Sequence, residues 1–192
     1  MRKFLKGLFW LMSVIAYRIK VNGMENLPKE GAALVCPNHV HALDTVIVVV
    51  HANRKINVLA KEELFENGFL RFLAKVFGVY PVKQNSADLS AIKTSLKLLK
   101  NKELLLIFPE GTRNGMAKGA PVKNGPMTIA IKAGVPIVPV GINGSFKAFS
   151  KIRINIGKPM YFNEYKEKVN DKEVVTKLTE ELMNEIVRLR DM

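Results

Sequence analysis

Cysteine is nearly absent from this 192-residue chain, and the lone Cys36 excludes an internal disulfide framework and suits a reducing compartment. Acidic residues are scarce too, 17 against 30 Lys and Arg, which leaves a formal charge of +13. That excess calls for an anionic partner: nucleic acid, lipid headgroups or a phosphorylated substrate. The bases lack interleaved aromatics, which argues against nucleic acid. The uncharged stretch Gly7 to Tyr17 would rise only about 16 Å as a helix, against a bilayer core of about 30 Å, which argues against a single-pass span. No small-x-small site precedes Tyr17, which argues against a signal peptide. Repeats, low-complexity segments and linkers are missing, and with 48% hydrophobic residues the chain fits one folded domain with a real core.

What is present begins with that N-terminal stretch. Arg2, Lys3, Lys6, Arg18 and Lys20 border it, and Phe4, Leu8, Trp10, Leu11 and Ile15 can enter the acyl region of a membrane while the cations meet anionic headgroups. The bland alternative is a helix packed on the core. Residues 1–20 are therefore expected to lie in the membrane interface, and 21–192 to form the body of the protein.

Gly31 to Cys36 reads as a buried strand, which Pro37 stops because it has no N–H to give. Asn38-His39-Val40-His41-Ala42-Leu43-Asp44 follows at the strand end, where α/β proteins commonly place their chemistry. His39 can take a proton near neutral pH, and Asp44 can hold its other ring nitrogen. Five positions turn roughly 500° on a helix, so the pair meets only if His39 lies in a turn and Asp44 in the first helical turn. His39, His41 and Asp44 could also hold a metal, but no second group of ligands stands at suitable spacing. Cys36, three residues from His39, is a rival nucleophile or a small buried strand residue.

Downstream, Thr45 to Val50 is β-branched and favours a strand by propensity, although Thr45 to Ala52 fits a buried helix equally by pattern. Ile56 to Ala60, Gly78 to Lys83, Leu104 to Phe108, Ile137 to Ile142 and Ile152 to Ile156 read as strands. Helices are expected from Phe69 to Phe77, from an Asp88 cap to Lys100, and from Gly125-Pro126 to Gly134. Val175, Leu178, Leu182, Ile186 and Leu189 form the inner stripe of a C-terminal helix. Strands alternating with helices predict an α/β fold, a mostly parallel central sheet flanked by helices. After Leu104–Phe108 comes Pro109-Glu110-Gly111-Thr112-Arg113, a strand-end loop able to hold a phosphate through the Arg113 fork and backbone N–H groups.

Asn38-His39 with Asp44, Gly78-Val79-Tyr80-Pro81-Val82-Lys83, Phe108 to Arg113, and Val135 to Val140 together resemble the four ordered motifs of the glycerolipid acyltransferases. Among these, the chain is most similar to the 1-acyl-sn-glycerol-3-phosphate (lysophosphatidic acid) acyltransferases, over roughly residues 20 to 160. Two positions depart from the pattern: Lys83 stands where Arg is usual, and His41 where Ser is common.

The resemblance implies an enzyme, peripheral on the cytoplasmic face of the cell membrane, that moves an acyl group from acyl-CoA or acyl-carrier protein to lysophosphatidic acid and makes phosphatidic acid. It implies His39 as general base, Asp44 as its orienting carboxylate, Lys83 and Arg113 as phosphate-neutralising cations, and Glu110, Gly111 and Thr112 as residues shaping the substrate site. It implies no metal and no redox cofactor. The neighbouring readings are an acyltransferase for glycerol 3-phosphate or another lysolipid, a basic nucleic-acid-binding protein, and a non-catalytic lipid carrier.

Overall fold

The alternation of side chains along β2 (Ala33–Pro37) divides the protein into two layers. All five residues are buried. Ala33 and Val35 enter one core, while Leu34 and Cys36 enter the other. A strand apolar on both faces needs cover on both, which is the condition for a parallel sheet with helices on each side. The computed structural model describes residues 1–82, 89–115, 117–119 and 121–192.

The strands are β1 (Arg18–Asn22), β2, β3 (Ile56–Lys61), β4 (Val79–Val82), β5 (Leu104–Leu106), β6 (Ile137–Gly144) and β7 (Lys151–Ile156). They form one sheet in the order β1-β7-β6-β2-β5-β3-β4. From β6 to β4 every pairing is parallel, β7 runs antiparallel to β6, and β1 is parallel to β7. The mostly parallel α/β architecture expected from the sequence is thus the one observed. β5 is shorter than its apolar run, although Ile107 N–H still donates to Val35 O at 3.0 Å.

The helices are α1 (Arg2–Ala16), α2 (Asp44–His51), α3 (Gly68–Phe77), α4 (Leu89–Lys100), α5 (Gly125–Ala133) and α6 (Lys172–Asp191). The expected Asp88 cap of α4 lies outside the described residues. The Thr45–Val50 run is helical despite its β-branched content. Topology decides it: β2 and β3 point the same way, and parallel strands must be joined by a crossover, here α2. Ile47, Val48 and Val49 bury against the sheet, so tertiary packing overrides a weak local preference.

On the opposite face, the α6 stripe of Val175, Leu178, Leu182, Ile186 and Leu189 is buried as its spacing requires. α6 presses close to β6 because Gly141 has no side chain. A Cβ there would stand 2.2 Å from Arg190 N.

α1 turns outward the apolar residues expected to enter a membrane. Phe4, Leu8, Leu11 and Ile15 share its outer face and are exposed, Phe4 by 74% and Ile15 by 64%. Two of the five cations expected to face headgroups, Arg2 and Lys6, point towards the body instead. Lys6 Nζ donates to Ala52 O at 2.5 Å, and Ser13 Oγ lies 3.0 Å from His51 Nε2. Phe9 meets Phe77 edge-on at 5.6 Å. Phe69 and Phe72 of α3 are also exposed. Among the described residues no helix is long and apolar enough to cross a membrane.

Candidate active site

β2 and β5 are hydrogen-bonded neighbours, so the turns that follow them open side by side at the carboxyl end of the sheet. Pro37 ends β2, the chain bends through residues 38–43, and α2 starts at Asp44. This is the bend that the His39–Asp44 spacing demands.

Asn38 anchors the bend. Its fully buried amide donates from Nδ2 to Ile142 O at 2.9 Å and accepts at Oδ1 from Ile142 N at 2.6 Å, tying the turn to β6. Sequence reasoning placed Asn38 in the motif without a role, and nothing in local spacing marks a side chain that bonds 104 residues away.

Asp44 organises the remainder. Its Oδ2 accepts from Val40 N and His41 N, each at 2.7 Å, and from His39 Nδ1 at 3.0 Å. The carboxylate is fully buried, and its Oδ1 has no partner among the described residues. Three donors thus converge on one oxygen in the first turn of α2. Because a carboxylate only accepts, His39 Nδ1 must carry the hydrogen, which leaves the Nε2 lone pair as the base. The ring is 17% exposed and stacks on Phe108, with centroids 3.9 Å apart and planes 18° apart.

The second loop closes over this turn. Glu110, nearly buried, accepts His39 N–H at 2.7 Å through Oε1, and Asn114 N donates to His39 O at 2.6 Å. Both backbone groups of the histidine are therefore held by the loop after β5. Gly111 takes a left-handed φ of +64° beneath Lys123, where a Cβ would come within 2.9 Å of that side chain. Thr112 and Arg113 are exposed on the same loop. Lys83 lies outside the described residues; the strand leading to it, β4, ends at Val82.

His41 is exposed, stacks on Phe146 at 4.2 Å, and accepts Leu43 N–H at its Nδ1, 3.2 Å away. Among the described residues, no three His, Cys, Asp or Glu side chains are grouped to hold a metal ion. The Cys36 thiol sits in the apolar core on the α5–α6 side of the sheet, and burial pushes its pKa far up.

Beside the site lies an apolar cavity of about 280 Å³. Ala42 and Thr45, which flank Asp44 in the chain, line it together with Phe9, Val49, Leu73 and Phe77. It is bounded by α1, α2 and α3.

Several known proteins are similar to this chain in sequence or fold. A family model described as acyltransferase matches residues 18–143. The 1-acyl-sn-glycerol-3-phosphate acyltransferase of Bacillus subtilis is 32% identical over 180 residues, covering 90% of this chain and 88% of that protein. One of the same name from Borreliella burgdorferi is 31% identical over 166 residues, covering 85% of this chain and 65% of its own length. The crystal structure of the 1-acyl-sn-glycerophosphate (LPA) acyltransferase PlsC from Thermotoga maritima superposes with a TM-score of 0.65 at 29% identity, covering 95% of this chain and 78% of that one.

Proposed function

This chain belongs to the acyltransferase family, and from that premise we propose that it acylates the free hydroxyl of 1-acyl-sn-glycerol 3-phosphate, giving phosphatidic acid. The observation that carries the reading is the His39 imidazole, with Nδ1 held by Asp44 and Nε2 left as the base.

A lipid hydroxyl is a weak nucleophile until a base takes its proton, and a positioned base contributes about 10²–10⁴-fold. His39 Nε2 takes that proton as the oxygen attacks the thioester carbonyl carbon. The tetrahedral oxyanion collapses, the C–S bond breaks, and the departing thiolate recovers the proton from Nε2. Asp44 stabilises the imidazolium between those steps.

Arg113 and Lys83 take the acceptor phosphate, while Gly111 and Thr112 shape the loop that carries Arg113. Glu110 acts through His39 by holding its amide. The apolar cavity beside Asp44 takes the acyl chain. Acyl-CoA or acyl-carrier protein is the co-substrate, and the chemistry calls on neither a metal nor a redox cofactor.

Within the expected 1–20 segment α1 serves as the interfacial part, since Arg18 to Lys20 already pair in β1, and 21–192 serve with that strand as the catalytic body. The outward apolar stripe of α1 supports a peripheral seat on a membrane, which we place on the cytoplasmic face of the cell membrane.

The test is product formation from lysophosphatidate and acyl-CoA or acyl-carrier protein by the purified full chain, and its loss in His39→Ala with the fold intact. Activity on glycerol 3-phosphate in preference to lysophosphatidate would overturn the acceptor. No acyl transfer to any glycerolipid would overturn the reading.

A further inference from the structure

The end of the sheet away from His39 carries a second constellation that the acyl-transfer chemistry does not use. Lys55 precedes β3 and Gly78 precedes β4, so both stand at the amino-terminal end of these parallel strands, whereas His39 follows the carboxyl end of β2. There a cavity of about 360 Å³ opens between the start of α1, α3 and the edge strand β4. Arg2, Lys55, Arg71 and Lys75 line it, with Phe65 and Tyr80.

The opposing charge is thin. Glu103 pairs with Lys55 at 3.3 Å, accepts from Asn57, and faces the Arg2 charge from a distance. Arg71 and Lys75, one turn apart on α3, have no ion-pair partner among the described residues. Arg2 Nε is buried without a hydrogen-bond acceptor among the described residues. A guanidinium donor withdrawn from water with nothing to donate to is costly unless a ligand supplies the acceptor.

We propose that this cavity binds the phosphate of an anionic phospholipid, as a docking site separate from the catalytic one. The proposal rests on the reading that α1 lies on a bilayer. Its lining is basic while the neighbouring outer surfaces of α1 and α3 are apolar: Phe4 stands two residues after Arg2, and Phe72 one after Arg71. A lipid surface presents phosphate and hydrocarbon together, which a free anion does not. α1 is about 22 Å long, with Arg2 at its first turn and Tyr17, its last cap, edge-on to Phe146 at 5.9 Å beside His41. A phosphate held at one end of α1 and chemistry at the other would lay the helix flat along the membrane and fix which end of the body meets substrate.

The experiment measures binding of the full chain to phosphatidylcholine vesicles with and without phosphatidylglycerol, for wild type, Arg71→Ala/Lys75→Ala, and Lys172→Ala/Lys177→Ala on α6 as a charge-matched control. Each cation near an anionic surface strengthens binding about fivefold, so the cavity variant is expected to bind the anionic vesicles about 25-fold more weakly. The control should change little, neutral vesicles should bind all three alike, and acylation of detergent-dispersed substrate should be unchanged.

Equal losses in variant and control would reduce the effect to diffuse charge and overturn the site. If wild type binds neither kind of vesicle, the membrane reading falls and takes this one with it. If inorganic phosphate raises the melting temperature of wild type but not of the cavity variant, while their vesicle binding is equal, the ligand is a soluble phosphate and the lipid assignment is wrong.

Discussion

Replacing Glu110 separates two roles that the sequence alone leaves merged. A carboxylate in a strand-end loop beside Arg113 reads as part of a substrate pocket, but the structure turns it inward onto the His39 amide at 2.7 Å. Glu110→Gln keeps an oxygen there and loses only charge. Hydrogen bonds to charged groups contribute about 1.5–3 kcal/mol and neutral ones about 0.5–1.5, so the loss is about 1 kcal/mol, or about fivefold. Glu110→Ala leaves the His39 N–H without that acceptor, at about 1–3 kcal/mol, and frees the imidazole to drift. A misplacement of about 1 Å costs on the order of 10²-fold in rate. Steady-state kinetics with lysophosphatidate and acyl-CoA, alongside thermal melting, are expected to show kcat down severalfold for Gln and about a hundredfold for Ala, with KM for the acceptor unmoved in both. A raised acceptor KM in the Gln variant with kcat intact would refute the argument, because it would mean that Glu110 touches substrate.

Asp44→Asn retains the size of the side chain but removes the charge that stabilises the imidazolium; kcat should fall about 10⁴-fold with little change in fold, measured by turnover and circular dichroism. Cys36→Ala should keep turnover, since a thiol buried in the core with a raised pKa supplies no thiolate; loss of activity in a folded variant would revive a covalent route. His51 is held below its ordinary value of 6.5 by burial and by the Lys6 charge. The unfolded chain therefore binds more protons than the folded one as pH falls through that value, so stability is full above it and declines below. His51→Gln should flatten the fall in melting temperature between neutral pH and about 5, and equal slopes would refute the assignment.

The strands were legible where apolar runs left no choice of environment, and α6 because its inner stripe recurs at helical spacing over twenty residues. α2 was not, because a fully apolar run carries no period; only the need to cross between parallel strands makes it helical. In the site, the His39–Asp44 bend followed from a five-residue spacing and elementary helix geometry. The roles of Asn38 and Glu110 did not, since their partners lie 104 and 71 residues away and only tertiary structure supplies them. The inward turn of Arg2 and Lys6 was hidden for another reason. The apolar stripe faces outward as expected, but the face that docks mixes Arg2, Lys6 and Ser13 with Phe9, a combination that no apolar period marks.

One oxygen of Asp44 holds two amide hydrogens and an imidazole at once. Architecture and reactivity are soldered at a single atom. Selection cannot remove that oxygen from beside the histidine without also unpicking the corner that presents it. Variation in substrate preference among proteins built this way must accumulate elsewhere: in the cavity wall, in the exposed arginine loop, and in the surfaces that decide how the molecule lies.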